Sequence, residues 1–156
     1  MVFTEYYTKK KQRKYLPIKI KEMDIQYAYT ILYVKDVPRT MEFYNKAFGF
    51  KQKLLTPEND YGEIESGSTT IAFANFELGN SNFRKGFIKS NLNEKPFGIE
   101  LALTTSDVEK VMRDAIKNGA ELLEESVTKP WGQQVGYLRD LNGFIIEVCT
   151  PIQNQG

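Results

Sequence analysis

The sequence predicts an α+β fold made of two tandem βαβββ units. Three observations carry that reading. An apolar strand followed by an amphipathic helix and three further strands occurs twice along the chain. Asp36-Val37 at the start of the first helix recurs as Asp107-Val108, an offset of 71, and the helix-ending Gly49 recurs as Gly119, an offset of 70.

In the first unit, Tyr27 to Val34 is rich in β-branched and aromatic residues and reads as a buried strand. Asp36 to Phe48 follows, with Val37, Met41, Tyr44 and Phe48 spaced as the apolar stripe of a helix. Asp36 is placed to cap it, Pro38 is tolerated in the first turn, and Gly49 suits a left-handed stop. Phe50 to Leu55, Tyr61 to Ser66 and Thr69 to Phe76 then form a meander, with Gly67-Ser68 as a two-residue hairpin turn.

The second unit repeats this order. Phe97 to Thr104 is an apolar strand, and Ser106-Asp107-Val108-Glu109 has the pattern of a capping box between Ser106 and Glu109. Val108, Val111, Met112, Ala115 and Ile116 make the helical stripe. Strands are expected at Ala120 to Leu123, Gln133 to Arg139 and Phe144 to Cys149, the last two joined by the turn Asp140-Leu141-Asn142-Gly143. Residues 77 to 96, rich in Asn, Ser, Gly and Lys, connect the units. One helix cannot cover both faces of its sheet, so the two open sheet faces are expected to border a cleft.

At 156 residues and 41% hydrophobic content, the chain is long enough for one domain with a real core. The predicted domain covers 25 to 156, with modules at about 27 to 78 and 97 to 151; residues 1 to 24 read as a basic arm or linker. The arm holds seven basic side chains against three acidic, which leaves 14 basic and 17 acidic for the body. Lys9, Lys10, Lys11, Arg13 and Lys14 form the cluster, and nucleic acid is expected as a partner only through it. No run approaches the roughly 18 apolar residues of a membrane span, and charge occupies the place of a signal peptide's apolar core. A soluble, cytoplasmic protein is the expectation. The single cysteine, Cys149, sits in an apolar strand pattern and reads as a small buried hydrophobe.

Two motifs add a family. The segment Tyr29-Thr-Ile-Leu-Tyr-Val-Lys-Asp-Val-Pro-Arg-Thr-Met-Glu-Phe-Tyr44 and the ending Tyr137-Leu-Arg-Asp-Leu-Asn-Gly-Phe-Ile-Ile-Glu-Val148, placed on tandem βαβββ units, resemble the vicinal oxygen chelate superfamily. That superfamily contains glyoxalase I, bleomycin-resistance proteins and extradiol dioxygenases, and the resemblance covers residues 27 to 151. It implies a glyoxalase/bleomycin-resistance-type cleft between mixed sheets, a homodimer, and, in the metal-dependent members, ligands from the first and last strand of each unit. Carried over by position, those places fall on Tyr29 and Glu100 and on Ala72 and Glu147. The chain has no histidine, Ala72 has no donor and a neutral tyrosine is a poor ligand, so no metal and no other cofactor is expected.

The candidate ligand-binding residues are Tyr29, Tyr33, Glu100, Trp131, Gln134 and Glu147. Glu100 and Glu147 interrupt apolar strands, where a carboxylate is costly without water, a partner or a ligand. They are also the candidate catalytic groups; the alternative is pairing with a cation such as Arg139. If Asp140 to Gly143 is the whole turn, Glu147 lies opposite Gly136 and shares a face with Gln134 but not Gln133. Tyr29 and Tyr33 share a strand face and suit either a flat ligand or the core. Trp131 lies between Pro130 and Gly132, where it plugs a sheet end or walls a pocket.

Three functions follow as expectations. The first is metal-free binding or sequestration of a cationic or aromatic small molecule. The second is a glyoxalase-like lyase or isomerase using Glu100 and Glu147. The third is a ligand-sensing module of a transcription regulator, with the arm as its linker.

Overall fold

The computed structural model describes residues 25–152, so the arm with Lys9, Lys10, Lys11, Arg13 and Lys14 lies outside the described residues. The chain runs β1 (Thr30–Val34), α1 (Val37–Phe48), β2 (Lys51–Leu55), β3 (Tyr61–Ser66), β4 (Thr69–Asn75), α2 (Phe76–Asn82), β5 (Glu100–Thr104), α3 (Val108–Lys117), β6 (Glu121–Thr128), β7 (Gln134–Arg139) and β8 (Ile145–Cys149). Two four-stranded mixed sheets result, ordered β1-β4-β3-β2 and β5-β8-β7-β6. In each, the first strand of the unit runs parallel to the last and the other pairs are antiparallel.

The helix boundaries follow from their caps. Asp36 accepts the Arg39 amide at 3.0 Å, and Gly49 takes φ 75° to end α1. At the second helix the expected capping box is replaced by the same device as at the first: Asp107, not Ser106, is the cap and accepts the Lys110 amide at 3.0 Å. The repeat therefore extends to the capping carboxylate. Asn118 caps α3 and Gly119 follows with φ 107°. The segment beyond β4, expected to be connector, forms α2, whose first turn is capped by the Asn75 side chain on the Leu78 amide at 2.7 Å.

Val37, Met41 and Tyr44 of α1 and Val108, Met112 and Ala115 of α3 are buried in one cluster with Leu32, Ile64, Phe73, Leu138, Ile146 and Val148. Each helix packs on its own sheet, and the units meet through α1 against α3. Each unit seats a helix methionine over a strand glycine. A methyl added at Gly62 would lie 2.3 Å from the Met41 sulfur, and one at Gly136 would lie 2.4 Å from the Met112 sulfur. This corrects the expected place of Gly136, which stands under α3 and not beside Glu147. The reason is the turn: Arg139 pairs with Ile145, so the loop is Asp140 to Phe144, one residue longer than expected, and one residue reverses every side chain.

A buried polar clamp joins the units at this loop. The Asp140 Oδ1 accepts the amides of Asn142 and Phe144 at 2.8 and 2.9 Å, and its Oδ2 accepts the Tyr44 hydroxyl at 3.1 Å. Asn142 Nδ2 donates to Thr40 Oγ1 at 3.0 Å. Arg139, 5% exposed, donates from Nη2 to the carbonyls of Asn91 and Glu94 at 2.7 and 2.9 Å, tying the connector to the sheet. The motif residues are thus structural: they hold helix, sheet and connector together.

Candidate functional site

Helices α1 and α3 each cover one face of their own sheet, and the other face carries most of the candidate residues. On the second sheet the register sets Ala102, Glu147, Tyr137 and Glu124 in one row across four strands. Tyr137 donates its hydroxyl to Glu147 Oε2 at 3.0 Å. That bond, then burial, then the charges of Glu147 and Glu100, hold the phenol above its ordinary value, so it stays a donor. Cys149, two residues along on the same face, is pushed up to about 11, chiefly by burial and then by Glu147 and Glu100. At neutral pH it is a thiol, not a nucleophile.

Glu100 and Glu147 therefore act on the same two groups, which brings the two predicted acids together. Glu100 is exposed and Glu147 half-buried. Neither has an ion-pair partner among the described residues. The expected alternative partner, Arg139, is turned to the connector carbonyls and lies 3.9 Å from Glu121. Lys129 Nζ sits 5.8 Å from the centroid of the Tyr137 ring.

The other predicted residues separate. Gln134 is on the α3 side of the sheet: it alternates with Val135 and Tyr137 and bonds Ser126 Oγ at 3.1 Å. Its placement beside Glu147 is corrected by the same one-residue turn that moved Gly136. Trp131, in the loop between β6 and β7, is 61% exposed and donates to Gln133 Oε1 at 3.0 Å. Tyr33 is packed by Phe83 and Phe87, with ring centroids at 5.8 and 4.8 Å, so it belongs to an aromatic cluster over α2. Tyr29 precedes β1 and is 42% exposed. It lies on the open face of the first unit, not beside Glu147.

That first face holds a cluster the sequence reading missed. Ile31, Ala72 and Glu63 pair across the strands as Ala102, Glu147 and Tyr137 do in the second unit. Glu147 is thus matched by Ala72, and the first unit's carboxylate stands one strand over, on β3. Lys53 Nζ binds Glu63 Oε2 at 2.9 Å, and Tyr61 donates to Glu63 Oε1 at 2.9 Å. The Lys53 bond holds the Glu63 carboxyl below its usual range. Glu63 interrupts an alternating strand as Glu147 does, so the same signal was available. The two faces differ in charge: the first is neutralised internally, the second is not.

Of the metal positions implied by the resemblance, only Glu100 and Glu147 carry a strong donor. The positions are filled by Tyr29, Ala72, Glu100 and Glu147, and among the described residues no group of three or more His, Cys, Asp or Glu has metal-holding geometry. A separate groove of about 370 Å³ runs along the seam of α1 and α3, lined by Phe48, Phe50, Lys110 and Val111. Its Lys46 and Lys110 are each engaged by an acid one turn away on their own helix.

Fold, repeat and motif agree with comparison to known proteins. The profile of the glyoxalase/bleomycin resistance protein/dioxygenase superfamily matches residues 26–148, and the chain belongs to that superfamily. No curated protein matches it. Among solved structures, a glyoxalase-related enzyme from Fulvimarina pelagi is 20% identical with TM-score 0.68, covering 85% of this chain and 96% of that one. The hypothetical protein SA1046 from S. aureus is 23% identical with TM-score 0.64, covering 81% and 94%. An integron cassette protein from the V. cholerae mobile metagenome, VCH_CASS1, is 27% identical with TM-score 0.54, covering 82% and 97%. No helix among the described residues is long and apolar enough to cross a membrane.

Proposed function

We propose that this chain binds a cationic small molecule, without a metal, on the open face of its second unit. The observation that carries the reading is the pair Glu100 and Glu147 on one sheet face with no cation paired to either among the described residues. A half-buried carboxylate in a strand is retained at a cost unless something cationic or hydrogen-bond-donating meets it. Tyr137 donates to Oε2 of Glu147, and a carboxylate has lone pairs for further donors.

Binding is favoured over catalysis because Tyr137 and Cys149 are both held in their protonated forms, which leaves carboxylates as the only bases beside the ligand. A glyoxalase-like activity would rest on Glu100 and Glu147 as its acid-base groups. The ligand chamber is completed by a second copy. The exposed apolar side chains Tyr29 and Ile31 on the first open face, at 42% and 37%, suit burial against the second open face.

The test is thermal unfolding of the full chain, with a chelator present, against aromatic ammonium and amidinium compounds and size-matched neutral and anionic ones. Cations alone are expected to raise the melting temperature. Stabilisation only by added zinc, nickel, manganese or magnesium would contradict the metal-free reading.

A further inference from the structure

We infer that the basic segment Lys9 to Lys14 of the arm docks on the face carrying Glu100 and Glu147, as a tethered competitor of the small ligand. This rests on the same face as the proposed function, but not on any small molecule binding there.

Charge favours this docking. The face and its edge hold Glu100, Glu147, Glu124 and Glu121, against Lys129 and an Arg139 committed to backbone carbonyls and Glu121. The arm holds seven basic and three acidic side chains, and five of the basic ones fall within Lys9 to Lys14. The first open face is a poor alternative, because Lys53 already satisfies Glu63.

Reach permits it. The described residues begin at Ile25, so the basic segment lies 11 to 16 residues from that point. An extended chain spans at most about 3.3 to 3.6 Å per residue, which is roughly 35 to 55 Å here, comparable to the width of a small domain. Docking of a segment of the same chain is intramolecular and draws on an effective rather than a bulk concentration. Weak ion pairs then suffice, and the docking is screened by salt.

The test is zero-length carbodiimide cross-linking of the full chain, followed by peptide mass spectrometry, in wild type and in E100Q/E147Q. Links from Lys9, Lys10, Lys11 or Lys14 to Glu100 or Glu147 are expected at low ionic strength. They should fall at least fivefold near 0.5 M salt. In E100Q/E147Q the remaining arm links should not simply move to Glu121 and Glu124 at undiminished yield. Arm links spread evenly over the acids of both units would overturn the inference. So would a chain that retains duplex DNA through the arm at moderate salt and gives no links to the second unit. Links in the absence of any cation binding would sustain this inference while removing the small-molecule reading.

Discussion

Tyr44 on the first helix donates its hydroxyl to the Asp140 carboxylate of the second unit at 3.1 Å, with both side chains fully buried. This bond joins the two motifs that carry the family resemblance, and it connects the units through α1 and the β7–β8 loop. Burial raises Tyr44, with the Asp140 charge adding to it, so the phenol remains a donor. Removing that donor leaves Asp140 with its two amides and Asn142. Tyr44→Phe is expected to cost about 1 to 2 kcal/mol, measured by urea unfolding. A cycle with Asp140→Asn should show coupling of at least about 0.5 kcal/mol; additive losses would mean the contact is energetically idle.

Asp140 also makes stability depend on pH. Burial, the largest cause, raises its carboxyl above the ordinary value despite the hydrogen bonds that oppose it. A folded value above the unfolded one means its contribution is complete below the unfolded value and is lost as pH rises through the folded one. The unfolding free energy of wild type minus that of Asp140→Asn should therefore decline as pH rises from about 4. The chain has no histidine to titrate in the same window. A difference that is flat, or that grows with pH, would refute the assignment.

The glycine under each helix should be intolerant of a methyl. At Gly136 the added carbon would lie 2.4 Å from the Met112 sulfur and 3.2 Å from the Ser126 backbone. Gly136→Ala is expected to cost about 1 to 3 kcal/mol through overpacking. Met112→Ala, itself destabilising, should reduce the added cost of Gly136→Ala in the double variant. Full additivity would place the clash elsewhere.

Much of the fold was legible because each unit states it in local chemistry: the Asp36 cap, most of the stripe residues and the Gly67-Ser68 turn lie where the pattern puts them, while at the second helix the cap is Asp107 and not Ser106. What escaped were longer-range consequences. The β7–β8 loop is one residue longer than the turn signal because Asp140 folds back on both Asn142 and Phe144. That residue moved Gly136 and Gln134 to the far side of the sheet and brought Tyr137 to Glu147. Helix α2 escaped because an Asn-rich stretch reads as loop, although Asn75 is its cap. The pairing of Glu63 with Lys53 escaped because Lys53 sits in a β-bulge that strand alternation does not reveal.

Cys149 offers a reporter of the second face. Its thiol is pushed up to about 11 by burial first and by Glu147 and Glu100 second. Labelling by a thiol reagent at pH 8 is expected to be at least about tenfold slower in the native protein than in urea. Glu147→Gln should speed native labelling by relieving part of the electrostatic cause. Unchanged labelling in that variant, with the fold intact, would separate Cys149 from Glu147.

In the proposed function, Glu147 on the second open face meets a cationic ligand without a metal. Titration calorimetry in the presence of a chelator, with the cation that most stabilises the wild type, compares it with Glu147→Gln. At least a tenfold loss of affinity, about 1.4 kcal/mol, is predicted for the variant. Equal affinity in the two proteins, or binding that appears only when a divalent metal is restored, would contradict it.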